Sequence, residues 1–343
     1  IMKKLVALSL ALCMTLSLAA CGKKDDPAPG GSTSAPSGRT ETVTLKLGHG
    51  QTEAHPYHTG AVKFAELVDQ YTEGRVKIEI YPNATLGAER DMVEGCQMNT
   101  VDICITTNAP LTNFDAKFNV YEFPYLFETR DEAHKIMDGQ IGQDLLDDLT
   151  SINIKGLAYF ENGFRNVTND VKPIVTVSDL AGMKIRTMES NIHIAAFRAM
   201  GANPTPMSWG DVYTSIQQHT IDGQENPPMA VVDGKIYEVN HYMSKTEHFY
   251  SPAPLVMSLA KFNALSSQDQ EALLKAAQEA ALFQRDAAGT YNEEKLDFLT
   301  EQGMKINEVD KTSFMEATAS VYEEYADQYG DSIQAILKEL GRA

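Results

Sequence analysis

The sequence predicts an α/β protein with largely parallel sheets. Stretches with the two-residue period of strands alternate with stretches of helical period along most of the chain, and no solenoid-length repeat interrupts them. Residues 43–47 alternate apolar and polar like a strand. Ala61, Phe64, Ala65, Val68 and Tyr71 then share one face of a helix that Gly74 ends. Residues 76–81 read as a second strand, 89–97 as a helix and 101–106 as a third strand. A helix over 131–149, strands over 155–160 and 183–187 and a helix over 189–200 come next. Ser208-Trp209-Gly210-Asp211 has the form of a capping box and opens a helix to Gln218. Ser267-Gln268-Asp269-Gln270 opens another, whose Ala-, Glu- and Leu-rich pattern runs to Gly303 with Gly289 as a candidate break. That length is unusual in a globular protein. Open α/β sheets place ligands at the carboxyl ends of their strands.

The first forty residues are of another kind. Lys3 and Lys4 precede an apolar run over 5–18, too short and wrongly flanked to span a bilayer. Residues 1–20 therefore read as a secretory signal peptide. Their end, Leu18-Ala19-Ala20-Cys21, resembles a bacterial lipobox, which implies cleavage before Cys21 and a diacylglycerol on its thiol. Residues 21–40 are rich in Pro, Gly, Ser and charge and read as a disordered tether. The remaining ~300 residues suffice for one large or two medium domains. The formal charge is −18, or −20 once Lys3 and Lys4 leave. A field of that sign excludes nucleic acid and anionic membrane surfaces as partners. Beyond the leader, Cys96 and Cys104 are the remaining cysteines, and either a disulfide or buried free thiols fits them.

Motifs of catalysis are absent: there is no nucleophile elbow, HExxH, phosphate loop or dinucleotide glycine pattern. His55 and His58 flank Pro56 without a third ligand, so helix capping or exposure fits them better than metal. Polar residues at strand ends remain. Arg186 ends the strand over 183–187, on its opposite face from Ile185, and Arg165 lies just past the strand over 155–160. A guanidinium fork suits a carboxylate, although either arginine could instead pair with one of the chain's many acidic residues.

Gly163-Phe164-Arg165-Asn166-Val167-Thr168-Asn169, Asp179-Leu180-Ala181-Gly182-Met183-Lys184-Ile185-Arg186, Gly201-Ala202-Asn203-Pro204-Thr205-Pro206-Met207 and Ile221-Asp222-Gly223-Gln224-Glu225-Asn226-Pro227 occur in that order. Together with the segments 81–90 and 122–127, they resemble the substrate-binding proteins of tripartite ATP-independent periplasmic (TRAP) transporters, the DctP-like family. The resemblance covers residues 43–329. It implies two Rossmann-like lobes around a ligand cleft, periplasmic-binding-protein-like, with 267–303 as a long bracing helix. The lobes would be 41–163 plus 252–291 and 164–251 plus 292–343, closing on ligand by hinge motion.

The resemblance further implies no catalysis and no cofactor. It implies a monomer that captures a small organic acid outside the cytoplasm and passes it to a small and a large integral membrane subunit. Arg186 matches the arginine that pairs with the ligand carboxylate, Arg165 a supporting cation and Asn226 an amide at the same carboxylate. Trp209 stands where many members place an aromatic beside the ligand, with a core tryptophan as the alternative. His49, Glu89 and Asn108, beside Thr107, are candidates for hydroxyl recognition; a turn residue, a helix-terminus charge and a cap are their ordinary alternatives. Sialate is disfavoured by the lack of an acidic residue near Thr107, and the segments 55–58 and 160–165 look like the sugar-acid branch. A hexuronate is the first expectation and a C4-dicarboxylate the second; a ligand-sensing domain for a membrane receptor could use the same fold. Convergence of His49, Glu89 and Asn108 would favour the sugar acid, and a second cation opposite Arg186 the diacid.

The lipobox generates the first test. Two acyl chains give stable anchoring where one is marginal. Cys21→Ala should therefore move the protein from the membrane to the soluble fraction of cells and abolish a lipid adduct in the mass spectrum. Equal membrane retention of both proteins, with no adduct, would refute the anchor.

Overall fold

The computed structural model describes residues 42–342, so the leader, the tether and Cys21 lie outside the described residues. Its strands are β1 (Val43–His49), β2 (Val76–Tyr81), β3 (Ile103–Ile105), β4 (Ile154–Asn169), β5 (Lys184–Thr187), β6 (Asn203–Pro206), β7 (Gly223–Asn226), β8 (Tyr242–Ser258) and β9 (Lys305–Glu308). The helices are α1 (Pro56–Tyr71), α2 (Glu89–Gln97), α3 (Asn108–Leu111), α4 (Arg130–Asp138), α5 (Gln140–Asp148), α6 (Asn191–Ala199), α7 (Val212–Gln217), α8 (Pro228–Asp233), α9 (Leu259–Asn263), α10 (Ser267–Glu301), α11 (Lys311–Glu324) and α12 (Ala326–Glu339). None of the described helices is long and apolar enough to cross a membrane.

The strands form one mixed sheet in the order β2-β1-β3-β8-β4-β7-β5-β6, with β9 paired to β8 off that path. Both ends are parallel, as the alternating pattern predicts: β1 pairs with β2 and β3, and β5 with β6 and β7. The middle is not. β4 pairs antiparallel with both β8 and β7, and β8 antiparallel with β3. The sequence showed only the first, apolar part of β4, because the rest carries Glu161, Asn162, Arg165 and Asn166. All four are buried, and their polar groups give the run no apolar period to read.

Two further segments differ from expectation. The helix over 131–149 is two helices, because Gly139 at once ends α4 and caps α5. Ser208 bonds the Asp211 carboxylate at 2.8 Å rather than a backbone N–H, and a short 3₁₀ turn over Trp209–Asp211 precedes α7.

Apolar faces do the packing. Leu45 and Leu47 of β1 meet Ala61, Phe64 and Val68 of α1, and Ala276, Ala277 and Ala280 of α10, in one buried cluster. His55 caps α1, its Nδ1 accepting from Tyr57 N–H at 3.1 Å, with Pro56 pre-set at the first helical position. No group of three or more potential metal ligands occurs among the described residues. Cys96 and Cys104 are buried free thiols with their sulfurs 3.8 Å apart.

The long helix α10 runs unbroken through Gly289 and clasps the central strands. The Gln284 amide donates to Glu161 O at 2.8 Å and accepts from Glu161 N–H at 2.7 Å, as a neighbouring strand would. Arg285 donates to Tyr159 O and forks onto Asp138 at 2.7 and 2.9 Å. Asn292 donates to Asn162 O and accepts from Met229 N–H, tying β4 to α8. The Arg130 guanidinium lies over Gly289, where a Cβ would meet Nη1 at 2.1 Å and displace it. The last helices, expected in the second lobe, touch both halves of the chain. α11 packs on α6, whereas Tyr322 and Tyr329 surround Phe123 and the Tyr322 hydroxyl donates to Pro124 O.

Two buried histidines near the start of α1 make stability depend on pH. Burial, with repulsion from His58, lowers the His49 imidazole to a pKa of about 4; burial, with repulsion from His49, lowers that of His55 to about 3. An unfolded chain takes up these protons near pH 6.5. Between about pH 6.5 and 4 the unfolded state thus binds protons that the folded state refuses, and stability falls as pH drops. Each histidine contributes a loss of about 2 kcal/mol by pH 5. His55→Asn keeps a capping acceptor without the titration. Urea unfolding at pH 6.5 and 5 should show a smaller loss in this variant than in the wild type.

Candidate functional site

The carboxyl ends of β1, β2, β3, β5, β6 and β7 converge on a cavity of about 390 Å³. One wall carries Gln51, Thr52, Glu89, Thr107 and Asn162. The facing wall carries Arg186, Met188, Glu189, Trp209, Asn226 and Asp233. The parallel ends of the sheet thus supply the site, as the strand-end rule predicts.

Arg186 stands at the end of β5 and is 3% exposed. Its Nε and Nη2 donate to Met207 O at 3.0 and 2.7 Å, which fixes the guanidinium and leaves Nη1 without a hydrogen-bond partner among the described residues. The Trp209 ring lies 5.9 Å from its Cζ. Burial pulls its pKa down to about 10, against the opposing pull of Glu225, so it remains a cation at neutral pH. The other buried arginines are neutralised: Arg165 by Glu225 and Arg285 by Asp138. Among the described residues, Arg186 is the buried arginine that has no carboxylate within ion-pair distance.

Arg165, on β4, is fully buried behind the cavity wall rather than on it. It donates through Nε to Glu225, and through Nη2 to Glu225 Oε1 at 2.8 Å and Glu225 O at 2.7 Å. Glu225 also receives His248 Nε2 at 3.2 Å. Burial alone would raise the Glu225 carboxyl, but Arg165 and His248 reverse this and hold it well below the usual carboxylate range. The paired β4, β7 and β8 thereby meet at one charged cluster.

Asn226 ends β7 opposite Asn166 of β4. Its Nδ2 donates to Gln224 Oε1 at 2.7 Å, and Oδ1 makes no bond within the described residues. Glu89 opens α2 and receives both the backbone N–H and the hydroxyl of Thr107. Burial raises its carboxyl despite those bonds and the Arg186 charge. His49 and Asn108 do not reach the cavity. His49 contacts His58 Nδ1 through Nε2 at 3.1 Å, and Asn108 donates to Phe118 O and Glu122. The expected convergence of His49, Glu89 and Asn108 is therefore not found: Glu89 lines the cavity and the other two stand behind it.

Other lining residues carry no motif that would single them out in the sequence. Thr52 donates from its N–H (3.1 Å) and its hydroxyl to Asp233, and Asn113 donates to Glu189 O at 2.9 Å, so three hydrogen bonds join the walls at the cavity's edge. Gln51 and Asn162 line it as well. Their signal in the sequence is position alone, just past β1 and beside the Gly163 kink.

Residues 47–328 match the family model of the bacterial extracellular solute-binding proteins, family 7, DctP. The chain belongs to this family. The 2,3-diketo-L-gulonate-binding periplasmic protein YiaO of Escherichia coli K12 is 38% identical over 275 residues, 80% of this chain and 84% of its own. A TRAP periplasmic solute-binding protein from Polaromonas sp. JS666, solved with D-erythronate, superposes with a TM-score of 0.84 at 38% identity, covering 86% of this chain and 98% of its own. One from Citrobacter koseri with bound D-glucuronate gives 0.82 at 30% identity, covering 85% and 98%. The family serves transport and is not one of enzymes, and the mixed α/β periplasmic-binding-protein-like fold is shared.

The buried pair yields a stability test. Glu225→Gln leaves the Arg165 charge without its counter-ion, and breaking such pairs costs about 3–5 kcal/mol. Urea denaturation should show that loss. A variant within about 1 kcal/mol of the wild type, roughly fivefold in equilibrium constant, would mean that Arg165 finds charge compensation elsewhere.

Proposed function

We propose that this protein captures a sugar acid, a hexuronate in the first instance, and delivers it to the small and large membrane subunits of a TRAP transporter. In this reading it is anchored outside the cytoplasmic membrane through Cys21. One observation carries the proposal: a buried, charged arginine without a carboxylate partner faces a cavity whose size falls in the range of roughly 300–1,000 Å³ common for small-molecule sites. A ligand carboxylate completes Arg186, with the Asn226 amide beside it and Trp209 flanking. The protein's net charge repels anions at long range, so attraction comes from these close, desolvated donors.

The remaining charges of the cavity favour a monoacid over a C4-dicarboxylate. Glu89, Glu189 and Asp233 line it, and the additional arginine, Arg90, is exposed. A second ligand carboxylate would meet this acidic lining, whereas hydroxyls can donate to it. Relatives that bind 2,3-diketogulonate, erythronate and glucuronate support the same class. The two sets of segments, 41–163 plus 252–291 and 164–251 plus 292–343, serve in this reading as lobes that hinge about β4 and β8, and the bonds of Thr52 to Asp233 and Asn113 to Glu189 hold them together. Arg165 then supports the site through its place in the sheet and its hold on Glu225 rather than through contact with the ligand.

The test is calorimetric titration of D-glucuronate and succinate, with Trp209 emission as a second readout, since it is the chain's single tryptophan. Arg186→Ala should weaken glucuronate binding by about 2–5 kcal/mol, roughly 30-fold to several thousandfold. Arg186→Lys keeps charge but loses the fork and should also bind poorly. If folded Arg186→Ala binds within about threefold of wild type, the carboxylate is held elsewhere. Tighter binding of succinate than of any sugar acid would overturn the ligand class.

A further inference from the structure

Two side-chain amides in the cavity wall are buried without any hydrogen bond. Gln51 is 6% exposed and Asn162 2%, both line the cavity, and no atom of either amide has a partner among the described residues. Gln51 Oε1 and Asn162 Oδ1 are closed off from solvent altogether. Buried polar atoms are nearly always paired, and an orphan needs a reason. Two orphans in one wall, both amides, point to a shared one.

The backbone at each position is fixed independently of the side chain. The Gln51 carbonyl accepts from Asn83 N–H at 2.8 Å. Asn162 is the extra residue of a β-bulge: Glu161 pairs with Pro252 and Gly163 with Ser251, so Asn162 has no opposite number on β8. Bulges re-aim side chains, and this one turns on Gly163, whose φ of +110° other residues rarely adopt. Gln284 of α10 bonds the main chain of Glu161, and Asn292 donates to the Asn162 carbonyl. The clamps hold the main chain and leave the amide free.

We propose that Gln51 and Asn162 form a hydroxyl-reading pair, each amide exchanging hydrogen bonds with alcohol groups of the ligand. This rests on the assignment of the cavity as a carboxylate site. An amide both donates and accepts, as a hydroxyl does, and carries no charge to attract or repel the acid head. A hydroxyl-free acid leaves both amides desolvated and unpaired, which gives selectivity for a polyhydroxy acid over a plain acid. Arg186 confers affinity for acids in general, whereas this pair selects among them.

The experiment compares D-glucuronate with hexanoate, a carboxylate with no hydroxyl, on the full mature chain. Gln51→Met and Asn162→Leu keep approximate shape and remove the amides. Each should weaken glucuronate about 10- to 100-fold while hexanoate binds no worse, so the ratio of affinities falls. Removing an orphan also predicts an unliganded Tm that holds or rises; an amide that serves the fold, through a bound water or otherwise, would lower it. An equal loss for both ligands, a lowered Tm, or glucuronate binding within about threefold of wild type would each overturn the pair. Should Asn162→Leu fail to fold, Gln51→Met and Asn162→Ser carry the same comparison. Wild-type protein that binds neither acid would instead sink the carboxylate site itself.

Discussion

A guanidinium is costly to bury unless something holds its charge, and the centre of this sheet is arranged around that constraint. Arg165 is 0% exposed on β4, Glu225 meets it from β7, and His248 meets Glu225 from β8. The three strands that connect the parallel ends therefore share one electrostatic cluster. Replacing such a pair by apolar residues is often no less stable, so its value lies in position rather than in net energy. With Arg165 neutralised by Glu225, the Arg186 guanidinium on the next strand but one is left without a counter-ion of its own, and the two cations are kept from both demanding one.

The cavity inherits a division of labour from this arrangement. The wall formed after β5, β6 and β7 carries the cation, the aromatic ring and Asn226. The wall formed after β1, β2 and β3, with the bulge of β4, carries Glu89, Thr107 and two neutral amides. A cation on one side and hydroxyl-compatible groups on the other suit, in the proposed reading, a molecule with one acidic end and a polyol remainder. The long helix α10 keeps the polar wall in register by bonding β4 at two successive residues, Glu161 through Gln284 and the Asn162 carbonyl through Asn292.

Much of the fold was legible because apolar period is a local signal. β2 and α2 have the limits the sequence predicts, and β1 extends only two residues further. The second half of β4 and the first half of β8 were not legible as strands, since a buried strand is recognised by its apolar run and these bury Glu161, Asn162, Arg165, Thr246 and His248 instead. The apolar second half of β8 is interrupted by Pro252 and Pro254, which argue against a central strand. Of the candidate site residues, Arg186 and Arg165 look alike in sequence, each an arginine at a strand end. The difference is made by Glu225, sixty positions from Arg165 and paired with it only in the folded sheet. Asn108 and His49 misled for a related reason: being next to a strand end does not say which way a side chain turns. Gln51 and Asn162 carry no sequence motif, and their lack of partners is a property of the packed structure alone.

The pairing of β4 with β8 also bears on how the molecule is made. Ile154 at the start of β4 faces Ser258 at the end of β8, ~100 residues away along the chain, and loops of that length close slowly. A nascent chain that has emerged only as far as β7 holds β4 without β8, its partner along most of its length, and the helix that clasps it, α10, comes later still. Stable structure thus waits for most of the chain, which disfavours folding in sequential pieces during synthesis. For a member of a family of extracellular solute-binding proteins, that delay is useful, because a polypeptide still unfolded on reaching the membrane can be threaded across it.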